Sequence, residues 1–195
     1  TDAGSNNGSA MSAWVFDAAR TAGEGAVVTD DPNSYVVVFH SCGREEYNSV
    51  DVRHILFRVD TSSLDKDSET YDADLQALKD AAKAKAEDAL AQWQANGATE
   101  DAFAQLANEL SDDSGSNTAG GLYTKVLKGQ MVSEFNDWCF DASRKAGDTG
   151  IVYNEGSYTG YHVMYFVGED IPAWQVSVKN ALISSDYAAW LDSLV

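Results

Sequence analysis

Trp14-Val15-Phe16-Asp17-Ala18-Ala19-Arg20-Thr21-Ala22-Gly23-Glu24 and Trp138-Cys139-Phe140-Asp141-Ala142-Ser143-Arg144-Lys145-Ala146-Gly147-Asp148 are two versions of one segment, with seven of the eleven pairs identical. Self-similarity of this kind marks a duplicated structural unit. Each copy runs into a strand–turn–strand pattern, 25–29 and 35–40 in the first, 150–153 and 161–167 in the second. Asp30-Asp31-Pro32-Asn33 supplies turn chemistry between the first pair. A weaker repeat sets Val50-Asp51-Val52-Arg53-His54-Ile55-Leu56 against Val176-Ser177-Val178-Lys179-Asn180-Ala181-Leu182. The order is therefore a back half, a whole unit, and a front half. Residues 1–46 and 171–195 are expected to fold together as a smaller split lobe, a degenerate partial copy of the unit at 47–170. A strand at 176–182 would then lie beside the strand at 35–40 and cover both open edges. The alternative is completion by a second chain, a homodimer formed by strand exchange.

Within the whole unit, residues 50–59 read as a strand with Val50, Val52, His54 and Leu56 on one alternation. Leu75, Leu78, Ala82, Ala86, Ala89 and Trp93 recur at three- and four-residue steps and predict a helix over 68–96, stopped by Asn96-Gly97. Thr99 is the expected N-cap of a second helix whose buried stripe is Phe103, Leu106 and Leu110. Residues 111–121 form a polar, Gly-rich loop, and a third helix is expected over 133–144. Outside the unit, 1–10 reads as a flexible leader, 12–20 as a short helix and 185–194 as a last helix.

Thirteen Lys and Arg stand against 31 Asp and Glu, a formal net charge of −18. So acidic a surface repels phosphate backbones, which argues against nucleic-acid binding. It favours solubility and can steer basic client chains. No apolar run approaches the roughly 20 residues of a membrane span. Cys42 and Cys139 and the three His show no metal-ligand spacing. Two small semi-buried thiols are the expectation, with their pairing left open.

Four segments in order resemble the parvulin family of peptidyl-prolyl cis/trans isomerases, the small rotamases. They are Arg53-His54-Ile55-Leu56; Ala104-Gln105-Leu106-Ala107 followed by Ser111-Asp112-Asp113; Gly120-Gly121-Leu122 with Gly129-Gln130-Met131 and Phe135; and Gly160-Tyr161-His162-Val163. The resemblance covers residues 47–170. It implies an α+β fold, a four-stranded, mostly antiparallel sheet flanked by helices. It also implies isomerisation of Xaa-Pro bonds without metal or cofactor. Leu122, Met131 and Phe135 would line a slot for the proline ring, with Gln130 beside them. His54 and His162 would face each other as a polar floor with Asp113 at its mouth, and Thr159 and Ser157 would complete the hydrogen-bond network. An Asp at 113 points away from covalent catalysis.

By residue type alone the two His could be a satisfied core pair, Met131 and Phe135 plain core, and Asp113 a turn residue. The acid-leaning loop at 60–68 lacks the basic cluster of phosphate-directed parvulins, so phospho-specificity is not expected. Residues 123–128 run about one residue longer than the common family form. In the flanking copy Val36 stands at the His162 position and Asn180 at the His54 position, so that lobe reads as non-catalytic. The resemblance implies a bacterial extracytoplasmic foldase acting on unfolded clients, secreted or held at the surface by a lipid anchor upstream of the chain. The rival reading is a non-catalytic chaperone or peptide-binding module.

Overall fold

The computed structural model describes residues 9–44 and 46–193. The expected leader at 1–10 and the end of the last expected helix therefore fall largely or partly outside the described residues. The chain divides into two units, 47–176 and the flanking segments 1–46 with 177–195.

In the first flanking segment, helix α1 (Ala10–Val15) precedes the hairpin β1 (Gly25–Asp30) and β2 (Asn33–Val38). Ser9 caps α1, accepting from Ser12 N at 3.0 Å. The Asp30 carboxylate accepts from the backbone N–H groups of Ala10 and Met11 at 2.7 and 3.0 Å. The helix stops five residues short of the predicted 12–20 span, because the chain turns at Asp17 to make the repeated loop.

The large unit holds a four-stranded sheet in the order β4 (Leu122–Val126), β3 (Asn48–Arg58), β6 (Gly160–Pro172), β5 (Thr149–Asn154). Every neighbouring pair is antiparallel. The fourth strand, β4, lies in a stretch whose polar and Gly-rich neighbours mask it in the sequence. Central β3 is buried along nearly its whole length, as a strand covered on both faces must be. On one face, α2 (Tyr71–Ala95) and α3 (Glu100–Leu110) pack against Ile55, Phe57, Val59, Val163 and Tyr165. Thr99 caps α3 as expected, accepting from Ala102 N at 3.1 Å. On the other, α4 (Ser133–Cys139) presents Phe135 and Cys139 to Val50, Val52, Val126, Met164 and Phe166. The α4 helix ends five residues before the predicted 144, again at the repeated loop.

The two loops match bond for bond. Arg20 Nε donates to Trp14 O at 3.0 Å and Arg144 Nε to Trp138 O at 3.1 Å. Each guanidinium lies over its tryptophan ring, at 4.4 and 4.1 Å. Gly23 N donates to Phe39 O and Gly147 N to Phe166 O, both at 2.8 Å. Both glycines have φ near +90°, which disfavours any side chain. The strand registers then align the copies: Gly25 faces Val38 as Thr149 faces Tyr165, and Val28 faces Tyr35 as Val152 faces His162. The residue at the His162 position is thus Tyr35, not Val36 as the sequence suggested. The turn of the first copy is shorter, which displaces the alignment by one residue.

Residues after β6 correct a larger expectation. Ala173–Asp192 is one helix, α5, not a strand at 176–182 and a helix from 185. Pro172 precedes it, no Gly or Pro interrupts it, and Val178–Leu182, Ile183–Tyr187 and Tyr187–Leu191 repeat at four-residue steps. The short Val-x-Val alternation mimics a strand only when the window is cut at 182. Among the described residues the sheet of the first copy accordingly has two strands, β1 and β2, and Asn180, inside α5, has no strand position to share with His54. Both cysteines are free; Cys139 is buried but Cys42 is exposed rather than semi-buried. Among the described residues no helix is long and apolar enough to cross a membrane.

Candidate functional site

The central strands set the site's floor. Leu56 and His162 are register partners, as are His54 and Met164, and His54, Leu56 and His162 all point toward α4. The two imidazoles stack with their planes 17° apart and share a contact of 3.2 Å between their Nδ1 atoms. Phe135 closes on both edge-on, at 5.3 and 5.8 Å between ring centres.

Asp113 reaches His54 from the loop after α3. Ser111 Oγ anchors that loop by accepting from the backbone N–H of Leu56 at 3.0 Å and of Asp113 at 3.2 Å. Asp112 N donates to Leu56 O at 2.8 Å, and the Asp112 carboxylate accepts from Arg58 N at 3.0 Å. Gly121 must lack a side chain: a Cβ there would run into the His54 carbonyl, and its φ is +69°. The close approach lets Gly121 O accept from His54 N at 2.9 Å and fixes the loop against β3.

Asp113 Oδ2 accepts from His54 Nε2 at 2.9 Å, Ser116 Oγ at 2.5 Å and Tyr123 OH at 2.9 Å, while Oδ1 accepts from Gly115 N at 3.1 Å. The bond from His54 is the main reason its carboxyl is held well below the usual carboxylate range, and the Ser116, Tyr123 and Gly115 donors add to it against the cost of burial. Asp113 is therefore an anion, and His54 Nε2 carries its proton. One proton lies between the two Nδ1 atoms, and His162 Nε2 is buried without a hydrogen-bond partner among the described residues. Burial pulls His162 down to about 4 and neighbouring His54 adds to the effect, so its ring is neutral at pH 7. Burial and the Asp113 carboxylate together raise the Tyr123 phenol.

Above the floor lies a cavity of about 240 Å³. Its polar end is His54, His162 and Asp113, and its walls are Leu56, Tyr123, Met131, Val132, Phe135, Gln130 and Tyr158. His54, Asp113, Gln130, Met131, Phe135 and His162 are thus brought together. Leu122 is not among the lining residues; Tyr123 takes its place. The reason is a bulge: Val50 faces Val126 and Val52 faces Tyr123, so three steps on β4 oppose two on β3. Lys125, with φ +54°, absorbs the extra residue. Simple alternation from buried Val126 puts Leu122 inward, and the bulge reverses it.

Ser157 and Thr159 also lie outside the cavity. Thr159 Oγ1 donates to Gly156 O at 2.7 Å and accepts from Gly156 N at 3.1 Å, and Ser157 O accepts from Asn154 Nδ2 at 2.6 Å. They build the loop that presents Tyr158, which has φ +62° and lies between the cavity and a shallow groove containing Arg58 and Asp112. Tyr123, Tyr158 and Ser116 were missed by the sequence reading. A Tyr directly after Gly-Gly-Leu was the one available signal for Tyr123.

The family profile of the PPIC-type PPIase domain matches residues 38–168, 131 of the 195 residues. Among solved structures, peptidylprolyl isomerase PrsA from Bacillus anthracis is 22% identical with a TM-score of 0.43, covering 71% of this chain and 49% of its own. NmPin, the parvulin of Nitrosopumilus maritimus, is 24% identical with a TM-score of 0.41, covering 64% of this chain and 100% of its own. Pin from the archaeon Cenarcheaum symbiosum is 25% identical with a TM-score of 0.40, covering 66% and 99%. The chain spans about half the length of the Bacillus anthracis protein. No curated protein matches the chain.

Proposed function

We propose that this chain, which belongs to the PPIC-type peptidyl-prolyl cis/trans isomerase family, catalyses rotation about Xaa-Pro bonds in client polypeptides. The observation that carries this reading is the small cavity with an apolar wall over a charged, hydrogen-bonded floor. Its 240 Å³ falls below the range of sites for drug-sized ligands, about 300–1,000 Å³, and suits a single ring. Rotation costs about 18–20 kcal/mol because amide resonance is lost midway. It breaks no bond, so the site need only hold the twisted amide better than either planar form. Met131, Phe135 and Tyr123 grip the ring. The floor meets the amide, whose nitrogen becomes a hydrogen-bond acceptor as resonance fades.

In this reading Asp113 is no nucleophile, because its carboxylate is engaged by four donors. It acts by fixing the proton on His54 Nε2 and, through the Nδ1 contact, the state of His162. Thr159 and Ser157 position the Tyr158 loop. The residues that would meet a group preceding proline include one cation, Arg58, which supports clients without phosphorylation. The placement outside the bacterial cytoplasm rests on the family resemblance, with which the acidic charge and the Gly-, Ser- and Asn-rich first ten residues are compatible, and fractionation of cells with an antibody to the chain tests it.

The test of activity is turnover of an Xaa-Pro test peptide. Met131→Ala and Asp113→Asn are each expected to lower kcat/KM at least tenfold with unchanged circular dichroism. Absent turnover in the wild type, together with suppression of client aggregation, would transfer the chain to the non-catalytic chaperone reading.

A further inference from the structure

The incomplete copy has the surfaces of a seat for one more strand. In the complete unit β6 is paired by β5 on one edge and β3 on the other, whereas its counterpart β2 is paired by β1 alone among the described residues. Phe39 directs its N–H to Glu24 O and its C=O to Gly23 N, 2.8 Å each. By alternation the N–H and C=O of Val36 and Val38 face the open edge.

Two other places describe the same neighbour. Between α1 and β2 lies a cavity of about 370 Å³ lined in part by Met11, Val15, Val37 and Phe39. Their counterparts in the complete unit, Phe135, Cys139, Met164 and Phe166, close on Val50 and Val52 of β3 and Val126 of β4. On the opposite face Val36 and Val38 are 84% and 68% exposed, while their counterparts Val163 and Tyr165 are 0% and 9% exposed. Those counterparts are covered by α2 and α3.

We propose that the open edge of β2 accepts an antiparallel strand with the sequence character of β3, carried by an incomplete parvulin-type unit whose β3 counterpart lacks its own β6, so that its Val-x-Val side chains enter the cavity beside α1. The occupant is identified by an interface already established in the complete copy: the same edge, the same apolar seat and the same register belong there to β3. Charge agrees with it. Residues 9–44 carry four acidic groups against two Arg, whereas residues 48–58 carry two Arg against one Asp. The residues of the seat belong to the flanking unit and none of them lines the isomerase cavity, so the proposal does not rest on the reading of that site.

The experiment uses the whole chain, isotopically labelled, and a synthetic peptide copying residues 48–58. Hydrogen exchange at the Val36 and Val38 amides is expected to slow at least tenfold with millimolar peptide, and the methyl signals of Val15 and Val37 to shift. Val36→Pro removes an outward N–H from an edge strand without touching the β1–β2 ladder, and is expected to weaken the peptide at least tenfold. Unchanged exchange at both amides, or undiminished binding by Val36→Pro, overturns the proposal. Equal protection by a scrambled peptide of the same composition overturns it too, and assigns the surface to extended client chains in general.

Discussion

The two copies of the repeat share a loop and differ in a core. Arg144 and Arg20 lock the same turn over the same tryptophan, with the same carbonyl accepting. Beyond the loop the resemblance ends. In the complete unit the helix before the loop seals a cluster in which Phe135 is 2% exposed and Cys139 1%; the same helix in the first copy borders an open cavity. The lesson is that local chemistry alone suffices for the loop, while the buried face needs β3 and β4 from elsewhere in the chain. Function follows the second kind of contact. The charged and hydrogen-bonded floor of the proposed site, His54, His162 and Asp113 with Ser116, stands on β3, β6 and the loop between α3 and β4.

The sharpest test of that difference replaces the matching helix residues. Phe135→Ala removes a fully enclosed ring that also braces both imidazoles, and is expected to cost about 3–5 kcal/mol of unfolding free energy. Met11→Ala, at the counterpart position beside the cavity, is expected to cost roughly 1 kcal/mol or less. Denaturant unfolding of both variants measures the gap, and equal costs would mean that the first copy has a sealed core of its own.

Acid should also separate the copies, because one has an imidazole pair and the other has Tyr35. The folded His162 titrates at about 4 against an ordinary 6.5. As pH falls through 6.5 the unfolded ring takes up a proton that the buried ring refuses. Stability is therefore complete near pH 7, drains between 6.5 and 4, and falls by roughly 3 kcal/mol in all at 1.36 kcal/mol per pKa unit. Asp113, held low mainly by its bond from His54, adds a later loss below the ordinary carboxylate value of 3.8 as its proton returns. His162→Gln should flatten the first stage and leave the second, as read from thermal melts between pH 7 and 3. A variant with the wild-type slope would place the titrating group elsewhere.

How far the site could be read beforehand follows the same division. His54, Gln130, Asp113, Met131, Phe135 and His162 were legible because each sits in a short motif whose spacing the fold preserves. The parity of Val50, Val52 and His54 gave the correct face of β3. Tyr123 was not legible, because one bulge at Lys125 reverses inside and outside and leaves no mark in an alternation pattern. Tyr158 depends on a left-handed backbone at a loop tip, and Ser157 and Thr159, expected at the site from the family resemblance, instead bond within that loop. Helix α5 failed for a different reason: a seven-residue repeat outweighed a twenty-residue window free of breakers.

The smallest expected effect tests the part the copies share. Arg20 and Arg144 each donate through Nε to a carbonyl two residues before the end of the repeated Trp-x-Phe, and each side chain is mostly covered, 26% and 18% exposed. Each is flanked by two acids, Asp17 and Glu24 or Asp141 and Asp148, at 3.2 to 3.8 Å. Those ion pairs are exposed on the acidic side and contribute little. What remains is one charge-assisted bond to a carbonyl and one cation–π contact, each on the order of 1 kcal/mol. Because both parts are local, Arg20→Ala and Arg144→Ala should speed exchange at the Gly23 and Gly147 amides by similar factors, about tenfold. The neighbouring Gly-to-strand bond should loosen in both copies even though only one has a sealed core. A much larger response at Gly147 would show that the turn is held by the cluster behind it, and the loop would then cease to be the independent module on which the repeat rests.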